Sequence, residues 1–166
     1  MSYIFETAKK KEIPEIFDLY KERVQWMDDN GIRQWNDTDY LNTYTEDYFE
    51  SHLEKGLLFV LKDLDSGKIK AAAVLLEDDA RWGDTAEGSA YYIHNLVTAC
   101  DVRGAGKQML KELEKLAASR GKDYIRLDST LGHDFLNQYY ESRGYKAVGE
   151  CIDGLYHGVL RQKKAV

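Results

Sequence analysis

The feature that most constrains this chain is a predicted strand that runs through a glycine turn directly into an amphipathic helix. Residues 91–97 are mostly apolar, residues 103–106 read Arg-Gly-Ala-Gly, and apolar side chains recur at helical spacing over residues 109–117. A second apolar strand follows at residues 124–129. Parallel strands need a crossover of this length between them, and it is usually a helix. The pattern therefore predicts at least one pair of parallel strands.

The remaining apolar patterns predict helices before this unit and short strands on both sides of it. Helices are expected at residues 13–27, 46–55 and 135–140, and strands at residues 57–63, 69–76, 145–149 and 155–161. The predicted order is helices first, then a hairpin, then alternating strands and helices. This order favours a mixed sheet with helices on both faces. No linker or repeat interrupts the chain, so residues 1–166 are interpreted as a single domain of the α/β or α+β class.

Charge and apolar patterning exclude several classes of protein. The 29 acidic residues outnumber the 23 basic ones and give a net charge of −6, which argues against non-specific binding to nucleic acid. The longest apolar run, residues 71–76, is far shorter than the roughly 18 residues of a membrane span. The N-terminus lacks a secretory signal, and Cys100 and Cys151 have no metal-site spacing. We therefore expect a cytoplasmic protein with reduced thiols, no metal, and no membrane or nucleic-acid partner.

The glycine turn has the composition of an anion-binding site. The first N–H groups of a helix have no intrahelical partner, and the helix dipole places partial positive charge there. We expect this of the N–H groups at residues 104–108, where Gly104 and Gly106 let a phosphate approach closely. Arg103 and Lys107 add positive charge. An ordinary glycine turn between a strand and a helix is the competing interpretation.

The turn does not fit two common nucleotide motifs but resembles a third kind of site. A dinucleotide fingerprint requires a third glycine where Met109 stands, and a P-loop requires a hydroxyl residue where Gln108 stands. Arg-Gly-Ala-Gly-Lys-Gln at residues 103–108 instead resembles the acyl-CoA pyrophosphate loop of the GCN5-related N-acetyltransferases, Q/R-x-x-G-x-G/A. Residues 92–97 resemble that family's fourth strand, and residues 135–145, ending in Tyr-Glu-x-x-Gly-Tyr, resemble its second signature. The resemblance covers about residues 57–150.

The resemblance implies both a fold and a reaction. The fold is a mostly antiparallel mixed sheet of six to seven strands with a splayed central parallel pair. The reaction is direct transfer of an acetyl group from acetyl-CoA to a primary amine, and we expect a small-molecule acceptor. An amine of a protein or peptide is the alternative acceptor, and a non-catalytic CoA-binding domain is the alternative from another class. Family members are often dimers, so a homodimer is a further expectation.

The resemblance also assigns coenzyme-binding residues. In the family, the pantetheine arm pairs with backbone groups where the central strands splay. The residues carried over to that contact are Leu96, Val97 and Thr98, and the N–H of Val97 is a candidate donor to the thioester oxygen. Those carried over to the diphosphate are Arg103, Gly104, Ala105, Gly106, Lys107 and Gln108, the last standing where the family prefers glycine or alanine. Those carried over near the last helix are His133, in the place of a frequent asparagine, Asn137 and Tyr140.

Two residues are expected to move protons. Tyr140 matches the family tyrosine that protonates the departing CoA thiolate, and a core tyrosine is the alternative interpretation. An amine with a pKa near 10 arrives protonated, so a base is required. His94 is the candidate base because it lies on the strand leading to the acetyl site. The alternatives are a histidine paired within the sheet, Asp128 as base, and ordered water.

The acceptor site has weaker signals. Residues 77–88 form an acidic loop, either a negative rim for a cationic amine or a solvated run of charges. Its carboxylates are Glu77, Asp78, Asp79, Asp84 and Glu87. The tryptophans, Trp26, Trp35 and Trp82, either frame an apolar pocket or pack in the core.

Overall fold

The structure, a computed structural model, describes residues 2–166, apart from the side chains of Asp84 and Thr85. Within this range the strands are β1 (Tyr3–Thr7), β2 (Leu58–Asp63), β3 (Ile69–Leu76), β4 (Ala90–Thr98), β5 (Tyr124–Thr130), β6 (Lys146–Asp153) and β7 (Tyr156–Lys164). The α-helices are α1 (Ile13–Asp29), α2 (Tyr40–Thr43), α3 (Glu46–Glu54), α4 (Ala105–Ser119) and α5 (Asp134–Ser142). No helix in the described part of the chain combines the length and apolar character that crossing a bilayer requires.

The strands form one mixed sheet in the order β1-β2-β3-β4-β5-β7-β6. β4 and β5 are parallel, whereas β1 with β2, β2 with β3, β5 with β7 and β6 with β7 are antiparallel. The prediction of a mostly antiparallel sheet with one parallel pair is therefore confirmed.

The first strand corrects the predicted element order. Residues Tyr3–Thr7 pair antiparallel with β2, from Tyr3 opposite Asp63 to Thr7 opposite Phe59. The ring of Phe5 stacks on that of Phe59, with centroids 5.3 Å apart. Aromatic and β-branched residues favour this pleated, half-buried position. The expectation that helices come first is thus wrong, and the four-residue helix α2 was not predicted either.

The chain divides into two compact units, residues 1–75 with 95–112 and residues 76–94 with 113–166. β4 and α4 each continue from one unit into the other. In the first unit, α1 buries residues at helical spacing, among them Ile16 and Tyr20. Phe49 of α3 is fully buried and stacks on Tyr20 with centroids 4.7 Å apart. Thr45 caps α3, since its Oγ1 accepts from the N–H of Tyr48.

In the second unit, the parallel pair separates after three residues. Registered pairing joins Ala90–Tyr92 of β4 to Tyr124–Arg126 of β5 and ends there, although both strands continue. Arg126 is only 1% exposed and donates to the Tyr92 hydroxyl at 2.9 Å and to the Glu87 carbonyl. A buried guanidinium whose donors are satisfied fixes the last paired position. The predicted splay therefore begins at residues 93 and 127.

Candidate functional site

The glycine turn forms the start of α4. Gly104 has φ +83°, a left-handed conformation, and a Cβ added there would meet no described atom within 4 Å. Glycine is therefore required for its backbone conformation and not for lack of space. The N–H of Gln108 donates to the carbonyl of Gly104 at 3.1 Å, which is the first bond of the helix.

This geometry corrects the predicted set of free amides. Because Gln108 is itself an intrahelical donor, the expectation that its N–H lacks such a partner is wrong, and its side chain donates to Glu112 at 3.0 Å. The N–H groups of residues 105–107 precede it in the first turn. Arg103 and Lys107 are exposed, and the described residues form no ion pair with either. A left-handed glycine, three amides and two available cations fit a diphosphate.

Beyond the splay, β4 changes conformation at Asn95. This residue has φ +56° inside the strand and is 9% exposed. Of the residues predicted to contact pantetheine, Val97 is buried whereas Leu96 and Thr98 are half-buried. Arg23 of α1 donates to both the carbonyl and the hydroxyl of Thr98, each at 2.9 Å. The Thr98 carbonyl therefore already has a partner within the protein.

The candidate base His94 is paired with a carboxylate from the acidic loop. Its Nε2 lies 2.6 Å from Oδ2 of Asp79, and the two side chains are 10% and 6% exposed. Oδ1 of the same carboxylate accepts from the N–H of Arg81 at 3.0 Å and so caps a 3-10 turn. The carboxylate thus orients the imidazole while the backbone fixes the carboxylate.

A second carboxylate lies close to the first but is neutralised separately. Oδ2 of Asp128 is 3.9 Å from Nε2 of His94. Asp128 also accepts from Arg81 at 3.2 Å and from the Tyr156 hydroxyl at 2.5 Å. The side chains of Asp79, His94 and Asp128 could supply metal-ligand atoms within 4.8 Å of one another. Because the Arg81 guanidinium forms an ion pair with Asp128, the described side chains form an ion-paired network around the histidine.

The network alters the ionisation of its acids. Burial acts to raise the pKa of Asp79, but the hydrogen bond and charge of His94 and the Arg81 backbone bond outweigh it, so the pKa lies below its usual value. Burial and the Asp128 charge raise the pKa of Tyr156. Burial raises the pKa of the Cys151 thiol to about 11, so this cysteine stays protonated at neutral pH. Asp79 is therefore the carboxylate held ionised beside His94.

The candidate acid Tyr140 lies on α5. It is 9% exposed, and the described residues offer its hydroxyl no hydrogen bond. Burial raises its pKa, with smaller contributions from Tyr139 and Asp128, so the phenol stays protonated at neutral pH. A protonated and unengaged hydroxyl is the state that a general acid requires.

The other two predicted residues near α5 have internal partners. Nδ1 of His133 accepts from the N–H of Leu136 at 3.2 Å and caps the helix. The amide of Asn137 accepts from Ser129 at 2.7 Å and from Arg161, and it donates to the carbonyls of Thr130 and His133 at 2.9 Å. Both side chains therefore fasten α5 to its surroundings.

The structure locates the described carboxylates of the acidic loop and the three tryptophans. Glu77, Asp78 and Glu87 are exposed, as a solvated run requires, whereas Asp79 is enclosed and the side chain of Asp84 lies outside the described residues. Trp82 packs in a buried cluster with Tyr92 and Cys151. Trp35 stacks on Tyr40 with centroids 4.3 Å apart, and Trp26 is 36% exposed under the Arg23 guanidinium. Sequence reasoning named Asp79 only among the carboxylates of the acidic loop and missed its pairing with His94, and it missed Arg81 and Asn95 altogether.

Comparisons with known proteins identify the family and the fold. The family model described as the acetyltransferase (GNAT) family matches residues 14–145. An uncharacterized N-acetyltransferase of Bacillus subtilis (strain 168), YesJ, is 27% identical over 157 residues, which cover 90% of this chain and 84% of that protein.

Solved structures share the fold. A GNAT-family acetyltransferase from Listeria monocytogenes 4b F2365 aligns with a TM-score of 0.78 and 25% identity, covering 98% of this chain and 94% of that one. The PaiA N-acetyltransferase of Thermoplasma acidophilum, solved in complex with coenzyme A, aligns with a TM-score of 0.76 and 15% identity, covering 99% of both chains. The fold of this chain is therefore shared with solved acetyltransferase structures.

The lowered pKa of Asp79 predicts a pH-dependent contribution to stability. An ionised carboxylate stabilises the fold above its unfolded pKa of about 3.9, and the contribution is lost as the pH falls through the lower folded pKa. Asp79→Asn should therefore reduce the free energy of unfolding most near neutral pH, and the difference from wild type should shrink below about pH 4. Urea unfolding at several pH values measures this difference in the free energy of unfolding. Asp65→Asn in the exposed β2–β3 turn is the control for a deleted charge. A difference that grows on acidification would contradict the assignment.

Proposed function

The chain belongs to the acetyltransferase (GNAT) family, and we propose that it transfers the acetyl group of acetyl-CoA to the primary amine of a small molecule. The observation that carries the proposal is the start of α4, where left-handed Gly104 precedes three amides flanked by two exposed cations. This local positive charge suits a diphosphate in a chain whose net charge is −6. A structure of the same fold was solved with coenzyme A, which supports the same ligand here.

We assign acetyl-CoA binding to two backbone segments of the first unit, residues 96–98 and 104–107. The diphosphate binds the N–H groups of residues 104–107 with the side chains of Arg103 and Lys107, and Gln108 contributes through its side chain. Leu96, Val97 and Thr98 face the pantetheine arm, and the N–H of Val97 donates to the thioester oxygen. His133 and Asn137 fasten α5, the helix that carries Tyr140. When bound, acetyl-CoA supplies an activated acetyl group.

Two side chains are assigned to proton transfer. Tyr140 gives its proton to the departing thiolate, because its hydroxyl is protonated at neutral pH and no described residue engages it in a hydrogen bond. His94 receives a proton from the incoming ammonium, directly or through water, and Asp79 orients it and balances the charge that it gains. Asp128 is less suited to be the base because Arg81 and Tyr156 occupy its oxygens.

The surroundings of His94 favour a small cationic acceptor. His94, Asp79 and Asp128 have side chains that are at most 10% exposed, so a slender amine reaches them more readily than a folded protein surface does. Exposed Glu77, Asp78 and Glu87 on the loop that carries Asp79 attract a cation.

The proposed reaction is tested by thiol release from acetyl-CoA with a panel of acceptors: a linear diamine, an amino sugar, an amino acid and a lysine peptide. We expect release with one or more small amines and little with the peptide. Tyr140→Phe should lower kcat by about 10²-fold or more, because the thiolate then leaves unprotonated. Calorimetry should show an unchanged Kd for CoA, and Tyr139→Phe is the matched control. No release with any acceptor, despite CoA binding, would instead favour a non-catalytic CoA-binding domain.

The glycine turn is tested by a pair of glycine substitutions. Gly104→Ala and Gly67→Ala each place a side chain on a left-handed residue, with φ +83° and φ +72° and no described atom near the new Cβ. Each should lose about 1 kcal/mol of stability. Only Gly104→Ala should also weaken CoA binding, by about tenfold, since the amides of the first turn shift. Equal CoA affinity of the two variants would show that the diphosphate does not bind at this turn.

The base is tested by the pH dependence of the rate. His94→Ala should lower kcat/KM by about 10²-fold and flatten the acidic limb of its pH profile. Added imidazole should restore part of the rate. His157→Ala is the control, because His157 is exposed and also pairs with a carboxylate, Glu150, at 2.9 Å. An unchanged profile for His94→Ala would leave ordered water as the proton acceptor.

A further inference from the structure

Asn95 is the one strained position inside a strand of the described chain. Among described residues other than glycine, only Asp39 and Asn95 have positive φ, and Asp39 precedes a helix. A left-handed residue within β4 interrupts the regular pleat just before Leu96 and Val97. Such strain persists only when the surroundings hold it, and it is concentrated at functional sites.

Three tyrosines from three different helices hold Asn95. Tyr20 of α1 donates to its backbone carbonyl at 2.5 Å, and Tyr48 of α3 donates to its Oδ1 at 2.7 Å. Its Nδ2 donates to the hydroxyl of Tyr40 of α2 at 2.6 Å. Every polar atom of the Asn95 side chain therefore has a partner, and so has its carbonyl.

The tyrosines form a rigid support. Tyr20 is fully buried and Tyr40 is 7% exposed. Burial raises the pKa of both phenols, so they remain protonated at any pH at which the protein works. Their rings also contact each other, with centroids 6.1 Å apart. The hydroxyl positions are thus fixed by packing.

Helix α1 also fixes the other end of the segment from Asn95 to Thr98. Arg23 lies one turn after Tyr20 on α1 and donates to the carbonyl and hydroxyl of Thr98. Asn95 and Thr98 are therefore both held from α1, and the two residues between them are Leu96 and Val97.

We propose that Tyr20, Tyr40 and Tyr48 are positioning residues that hold Asn95 in its left-handed conformation and so aim the backbone of Leu96 and Val97 at the acyl end of the donor. The proposal rests on the proposed function for the role of Leu96 and Val97. The clamp itself, defined as these three tyrosines on Asn95, rests on the hydrogen bonds alone.

The first test compares Asn95→Gly with Asn95→Ala. Both variants lose the amide and its bonds to Tyr40 and Tyr48, but only glycine adopts positive φ without cost. The glycine variant should have a folding equilibrium constant about tenfold larger than the alanine variant, the reverse of the order at an ordinary strand position. Its kcat should likewise be about tenfold higher, with similar Kd values for CoA. Equal or better stability and kcat for the alanine variant would overturn the proposal.

The second test removes one hydroxyl with little risk to folding. Tyr48 is only partly buried, so Tyr48→Phe should fold, and Tyr3→Phe in β1 is the control because the described residues offer the Tyr3 hydroxyl no hydrogen bond. We expect Tyr48→Phe to lower kcat about threefold to tenfold at unchanged Kd for CoA. Equal kcat in the two phenylalanine variants would contradict the positioning role. If wild type acetylates no amine, the proposed function and the positioning role both fail, while the stability order at residue 95 still decides whether the clamp holds the backbone.

Discussion

The candidate site depends on the early end of pairing between β4 and β5. Registered pairing stops at Tyr92 and Arg126, and the site residues of β4 all follow that point in the chain. Backbone groups released from a ladder must find other partners or bind a ligand. At Asn95 and Thr98 the protein supplies those partners from α1, and it leaves Leu96 and Val97 between them. The segment from Asn95 to Thr98 is therefore held at both ends by side chains of α1.

Charge balance around His94 follows from the same separation. Two carboxylates near one imidazole would repel each other if both were uncompensated, and one would then tend to stay protonated. Arg81 prevents this by pairing with Asp128 while its own backbone N–H binds Asp79. Arg81 thus neutralises Asp128 through its guanidinium and orients Asp79 through its backbone N–H. The result is one close carboxylate partner for the histidine, Asp79, whose pKa is lowered.

Local signals made part of this structure predictable. The turn before α4 needs a left-handed residue, and only glycine takes that conformation freely, so Gly104 marks the turn in the sequence itself. The Thr45 cap is local in the same way. β1 was missed because its residues, Tyr-Ile-Phe-Glu-Thr, do not alternate between apolar and polar side chains. The pairing of Asp79 with His94 was missed because nothing in the sequence separates Asp79 from the exposed carboxylates around it, and only the fold brings it to His94, fifteen residues further on.

Asn95 shows why a site residue can be invisible in a sequence and still be well determined in the fold. A left-handed conformation costs a residue with a side chain roughly 1–2 kcal/mol. Each of the three tyrosine hydrogen bonds contributes about 1 kcal/mol net, so together they exceed that cost, whereas one alone would barely match it. Glycine would take the conformation without help but would offer no side chain to Tyr40 and Tyr48, so the buried hydroxyl of Tyr40 and the partly buried hydroxyl of Tyr48 would lose those bonds. Asparagine satisfies both demands, because it tolerates positive φ better than most residues and presents one donor and one acceptor. The strand bend is therefore specified by α1, α2 and α3 acting together, which no pattern within β4 could reveal.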